Sequence, residues 1–276
     1  MVLVVENLAV RMSDREESQN ENLERKGRSR IIGRVLPGAV RLWLRSQLEN
    51  VEQLDIRLDG SDREIVSGRL LGVTVGADSV VYRGIHIGSV DLSAKDIRIN
   101  IGQVVRGKPL RLLKAFPVLG EVLLSPQDLN NSMGSALLLD GVTDFWRGLA
   151  RSPQLAEEIQ SRYGSLPLDP DVVLHDVLVA LGEACLGLSF YPSSQSERAA
   201  EPIVLSANLS IVSGHILRIS SARWLSRLSD MSDLDKGTVV EALEGFEWDL
   251  GKDAQISQLI LHPDRLLCAG QIQVRP

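Results

Sequence analysis

From Tyr82 to Leu113 apolar residues alternate with polar ones, yet the alternation changes parity twice. Ile85 and Ile87 share one parity, Val90 and Leu92 take the other, and Ile97 returns to the first, followed by Ile99 and Ile101. A period of two marks a strand with one buried face, and each slip sends side chains to the opposite face. Bulges or breaks near Gly88-Ser89 and Lys95-Asp96 are therefore required to keep one face apolar. Bulges bend sheets. The segment predicts a long, strongly twisted antiparallel sheet that curls around something.

The rest of the chain supplies more strands and the helices to fill the curl. Leu54, Ile56 and Leu58 share one side of a strand, and Leu71, Val73 and Val75 one side of the next. Gly60-Ser61-Asp62 and Gly76-Ala77-Asp78 read as turns or bends. Ser125-Pro126-Gln127-Asp128 starts a helix, with a serine cap, proline at the first position and a carboxylate at the third. Leu129, Met133 and Leu137 continue it, with Gly134 as an interruption. The apolar run ALLLDGVTDFWRGL from Ala136 to Leu149 carries Phe145 and Trp146, and a short helix covers Pro153 to Tyr163. Further on, Leu205, Ala207, Leu209 and Ile211 alternate with polar residues. Leu266, Cys268, Ile272 and Val274 alternate with Leu267, Ala269, Gln271 and Gln273 after a turn at His262-Pro263-Asp264. Asp169 and Asp171 flank Pro170 at a strand start, Pro192 to Pro202 reads as an exposed loop, and Thr238 to Leu243 as a helix. The fold class is α+β, a long curved antiparallel sheet wrapped around amphipathic and apolar helices. Residues 1–30 read as a flexible polar arm and residues 31–276 as a single domain.

Charge is unevenly spread. The net charge is −6, but the window Arg25 to Arg45 holds seven basic residues and no acidic one. Within it Ile32, Val35, Leu36, Ala39 and Trp43 recur at helical steps, and Pro37 is welcome in a first turn, so a helix runs from about Pro37 to Leu48. Arg34, Arg41, Arg45 and Trp43 are candidate membrane-facing residues of a basic amphipathic helix. The alternative is a core helix with solvated arginines. A second basic cluster follows the alternating strand. Arg106-Gly107-Lys108-Pro109 supplies the dihedrals of a reversal, and Leu110, Leu112 and Leu113 resume the apolar pattern. The resulting hairpin has cations at its tip and apolar side chains behind them, an arrangement suited to an anionic lipid headgroup. Solvation of a hairpin tip is the competing account.

Several function classes find little support. The negative net charge and few aromatics disfavour nucleic acid as a partner. The four histidines, His86, His175, His215 and His262, are scattered, so no metal site is expected, nor any cofactor. No nucleophile elbow, phosphate-cradling glycine loop or Walker sequence occurs, and the acidic run Ser229 to Lys236 lacks the oxygen spacing of a calcium loop. Cys185 and Cys268 read as unpaired thiols of a reducing compartment. No run approaches the ~20 apolar residues that span a bilayer. The expected location is cytoplasmic, peripherally membrane-associated.

The run YRGIHIGSVDLSAKDIRINIGQVVRGKPLRLL (Tyr82 to Leu113) and VLLSPQDLN (Val122 to Asn130) resemble the LmeA-like phospholipid-binding proteins of bacteria. PGAVRLWLRSQ and LGKDAQISQLILHPDRLLCAGQIQV extend the likeness. The resemblance implies a tubular lipid-binding type of fold and a non-catalytic role. It carries no catalytic residue over, and the chain departs from exported members in showing no export segment. On this reading Arg106, Lys108, Arg111 and Lys114 hold a lipid phosphate, and Leu112, Phe116, Leu138, Phe145 and Trp146 line an apolar slot for acyl chains. The expected partner is anionic phospholipid or a membrane surface. Two other roles stand beside it. One is an assembly scaffold docking a protein partner through the apolar helix around Phe145 and Trp146, and the other an enzyme of lipid-linked glycan metabolism.

Overall fold

The computed structural model describes residues 36–104, 106–163, 172–193, 201–233 and 235–276. The expected N-terminal arm, Arg34, and the pair Asp169 and Asp171 lie outside the described residues.

Among the described residues twelve antiparallel strands form two curled sheets, not one, with six α-helices against them. The first sheet has the order β1 (Gln53–Asp59), β2 (Arg69–Tyr82), β3 (Ile85–Arg98), β4 (Phe116–Leu124), β12 (Arg265–Val274) and β11 (Ala254–His262). The second runs β10 (Glu247–Asp249), β8 (Ile216–Trp224), β7 (Ile203–Val212), β6 (Cys185–Ser193) and β5 (Val173–Leu181), with β9 (Thr238–Val239) paired to β8. The helices are α1 (residues 36–47), α2 (Asp62–Val66), α3 (Ile101–Val104), α4 (Pro126–Ser132), α5 (Ala136–Arg151) and α6 (Pro153–Tyr163).

The parity slips of the sequence are physical kinks in the long β2–β3 hairpin. The two strands keep one register from Arg69↔Arg98 to Tyr82↔Ile85, but pairing lapses at Leu71/Asp96 and at Ser79/Gly88. At each lapse one residue is left-handed, Ser79 at φ 52° and Asp96 at φ 51°. Such a residue turns the strand so that the next side chain faces the same way as the last. The inward set is therefore Leu70, then Val73, Val75 and Ala77, then Val80 on β2, and Ile97, Ala94, Leu92, Val90 and Ile87 on β3. Arg69 Nε donates to Asp96 Oδ1 at 2.7 Å, and this guanidinium holds the Asp96 carboxyl below the usual carboxylate range.

Several local expectations are corrected. Gly76-Ala77-Asp78 is no turn but the middle of β2, and Leu71 is 41% exposed because the kink gives the buried place to Leu70. Gly60-Ser61-Asp62 leads into α2, whose N-cap Ser61 forms a capping box with Glu64. The expected helix from Thr238 is the short strand β9 and one 3-10 turn at Glu241–Leu243. Pro192 and Ser193, expected in a loop, still belong to β6.

α4 begins as the sequence predicts. Ser125 Oγ accepts from Asp128 N, and Asp128 Oδ2 accepts from Ser125 N at 2.8 Å. It ends at Ser132, two residues before Gly134, and α5 restarts with Ser135 as its cap. α4 stands between the sheets. The Ser132 hydroxyl accepts from His86 N of β3 at 2.7 Å. On its other side, Asn130 treats the edge strand β5 as a neighbouring strand would. Asn130 Nδ2 donates to Val179 O at 2.8 Å and Oδ1 accepts from Val179 N at 2.9 Å. The opposite join uses β11, where Ile256 N donates to Gly214 O and Ala184 N to Leu261 O. The edge strands β5 and β11 are thus each tied at a point to the other part of the molecule, which leaves less of their edge open to another strand.

Candidate functional site

Each sheet encloses an apolar cleft on its inner face. The first lies between the first sheet and α1. Val40, Trp43 and Leu44 of α1 face Leu70, Val73, Leu92 and Ala94 across a space of about 190 Å³, with Ile272 and Val274 on the far strand. The 3.6-residue stripe of α1 accounts for this side of the wall, while Arg41, Leu42 and Arg45 are exposed on its other face. Trp43 therefore faces the cleft and not the solvent side on which the two arginines lie.

The segment after β3 closes one end of this cleft, with a geometry richer than a two-strand hairpin. The strand alternation stops at Arg98, Ile99 bridges Leu112, and Ile101–Val104 is a single helical turn. Ile97, Ile99 and Ile101 are buried, as their shared parity predicts. Asn100, between Ile99 and Ile101 in the alternation, is buried as well and organises the loop. Its Oδ1 accepts from Arg111 N at 2.7 Å, and its Nδ2 donates to Pro109 O at 3.0 Å. Those bonds turn Leu110 and Leu112 into the cleft and leave Arg111, between them, exposed. Arg106, Lys108 and Lys114 are exposed as well, and none of the four cations is in an ion pair among the described residues. Four like charges gathered on one loop repel one another, a cost that an anion relieves.

The second cleft, about 250 Å³, lies between the second sheet and helices α4 and α5. Leu129 and Met133 of α4 and Leu138, Val142 and Phe145 of α5 face Leu188, Leu205 and Leu209. Phe145 stacks on Trp248 at 6.3 Å between centroids and meets Phe246 edge-on at 6.2 Å. A Cβ added at Gly141 would stand 3.6 Å from the Trp248 ring, in ordinary van der Waals contact.

The five residues expected in one slot are thus divided. Leu112 and Phe116 line the first cleft, Leu138 and Phe145 the second. Trp146 lines neither. It is fully buried in the second sheet's core, edge-on to Phe190 at 5.3 Å. The apolar side of α5 is accordingly turned into the molecule.

Three of the four histidines are held in local contacts. His175 Nε2 lies 2.8 Å from Ser193 Oγ across β5 and β6, His215 contacts its own loop, and His262 sits beside Asp264 and 3.1 Å from Glu183. Burial pushes both the Cys185 and Cys268 thiols up, which keeps them neutral and weakly nucleophilic near pH 7. Among the described residues no group of three His, Cys, Asp or Glu side chains is gathered as a metal site.

Apolar clefts roofed by helices suit hydrocarbon chains. The family model of LmeA-like phospholipid-binding proteins matches residues 27–271. The chain belongs to that family. No match was found among curated proteins or among solved structures. As an LmeA-like protein the chain is a lipid-binding protein with phospholipid as its ligand class, and the match runs through the second sheet as well as the first. Among the described residues no helix of this LmeA-like chain is long and apolar enough to cross a membrane. The second cleft is what sequence reasoning missed. The alternation of Leu205, Ala207 and Leu209 carried the signal, but nothing local shows that this face opposes a helix at a distance.

Proposed function

We propose that the chain binds anionic phospholipid non-catalytically at a membrane surface, with the acyl chain in the first cleft and the phosphate at Arg106, Lys108, Arg111 and Lys114. The observation that carries this reading is adjacency. Leu110 and Leu112 wall the cleft while Arg111 between them is exposed, so an amphipathic ligand meets grease and charge within one loop. Each buried methylene contributes about 0.8 kcal/mol, so a short length of chain in the cleft gives useful affinity. Arginine offers a bidentate fork to the phosphate, lysine a point charge. Arg41 and Arg45, on the exposed side of α1, add attraction to an anionic surface at about 1 kcal/mol per cation. The association is peripheral.

The test is flotation with vesicles of phosphatidylcholine containing phosphatidylglycerol. Wild type floats with the mixed vesicles and stays behind with pure phosphatidylcholine. Arg106→Glu combined with Lys108→Glu weakens flotation by about tenfold or more, because two attractions become repulsions. Equal flotation of wild type and double variant removes the loop from the mechanism.

A further inference from the structure

The second cleft is the larger of the two, and its surroundings differ in kind. Its wall is apolar throughout, from Met133 and Val142 to Leu209 and Ile219, and a dry cavity of this sort takes apolar guests. The charges beside its aromatic edge are mainly acidic. Asp140 and Asp144 are exposed on α5, and Glu247 and Asp249 flank Trp248 on β10. The nearby cations are already engaged: Arg147 Nη1 stands 3.1 Å from Asp144, and Arg218 Nη2 2.6 Å from Glu247. Those two pairs also offset Asp144 and Glu247, so Asp140 and Asp249 carry the remaining negative charge, which disfavours an anionic headgroup relative to an uncharged one.

We infer that the cleft between α5 and the second sheet is a separate binding site for a single acyl chain bearing an uncharged headgroup, the headgroup lying outside the aromatic edge formed by Phe145 and Trp248. The site is independent of the first cleft and of the anionic lipid proposed there. Phe145 and Trp248 supply a flat apolar border where chain gives way to headgroup, a position aromatic rings favour at lipid–water boundaries. Gly141, one turn before Phe145, is the smallest residue lining the cleft. A larger residue there fills the mouth and, lying mid-helix, raises helix propensity rather than lowering it.

The experiment is native mass spectrometry of the full chain with monoolein (an uncharged monoacylglycerol) and, separately, with phosphatidylglycerol. Wild type retains one monoolein. Gly141→Leu, which crowds the opening, and Ala207→Trp, which fills the floor, each lower monoolein occupancy by about tenfold, the loss of a few methylenes' burial. Both leave phosphatidylglycerol binding unchanged. Ala94→Trp, in the wall of the first cleft, does the reverse. Circular dichroism and the unfolding midpoint report whether each variant is folded, and Gly141→Leu serves if Ala207→Trp is not. Monoolein bound equally by wild type and the folded Gly141→Leu protein overturns the site, as does monoolein lost only in Ala94→Trp. Lipid-free dimers that disappear in Gly141→Leu also overturn it, since the cleft is then a surface for a second copy of the chain. Absence of phosphatidylglycerol binding tells against the first cleft alone.

Discussion

Two asparagines carry more of this structure than their side chains suggest. Asn130 bonds the N–H and C=O of Val179 and also donates to Pro126 O of its own helix at 2.7 Å, so one amide makes three hydrogen bonds, two of them between the helix and an edge strand. Removing it leaves backbone groups of a packed junction without partners, at about 1–3 kcal/mol for each group not reached by water. Asn130→Ala is expected to lower stability by roughly 2–4 kcal/mol. Asn130→Asp does worse at neutral pH, because a carboxylate then faces two carbonyl oxygens in place of an amide donor. Urea denaturation of the three proteins checks the order, and an aspartate variant as stable as wild type removes the donor role. Asn100 works the same way within the basic loop. Neither residue was legible in the sequence, where asparagine reads as turn or surface. The same short side chain reads differently once a strand edge or loop backbone comes within reach, and that proximity is a tertiary fact.

The elements were legible where the period was clean. The serine cap and Pro126 fix the start of α4, and the two parity slips of β3 mark the two places where the hairpin kinks. Where glycine and aspartate clustered, local chemistry misled. Gly76-Ala77-Asp78 has turn composition yet continues β2, because its partners Asp91, Val90 and Ser89 complete the ladder on the neighbouring strand. The kinks have a cost that can be measured. Ser79 is held left-handed without being glycine, a conformation worth about 1–2 kcal/mol of strain. Ser79→Val adds a branched Cβ to that strain and is expected to lower stability by about 1–2 kcal/mol. Ser79→Gly is expected to be neutral or slightly stabilising. The denaturation midpoints decide it. A tolerated valine means the strand can flatten at this point, and the curl of the first sheet is then set elsewhere.

At the scale of the whole molecule, two sheets with separate clefts are joined by a few directional contacts. α4 reaches β3 through Ser132 and β5 through Asn130, and β11 accepts the turns at Ala184 and Gly214. Clusters of apolar side chains lie on both sides of α4, and Leu124 and Leu261 of the first sheet pack into the core of the second. Shared core of this kind couples the opening of one sheet to that of the other. Sequence could announce the strands but not this partition, because two stacked alternations look alike whether they belong to one sheet or two. Hydrogen exchange reads the coupling directly, since slow amides of a cooperative unit open with a common free energy. Amides in the middle of β3 and of β7 are expected to exchange with the same limiting free energy in wild type. Asn130→Ala, which cuts the link from α4 to the second sheet, is expected to separate them, the β7 amides falling first. Limiting values that already differ in wild type by more than about 1.4 kcal/mol, a tenfold difference in opening, mean that the sheets unfold independently and each cleft is a unit of its own.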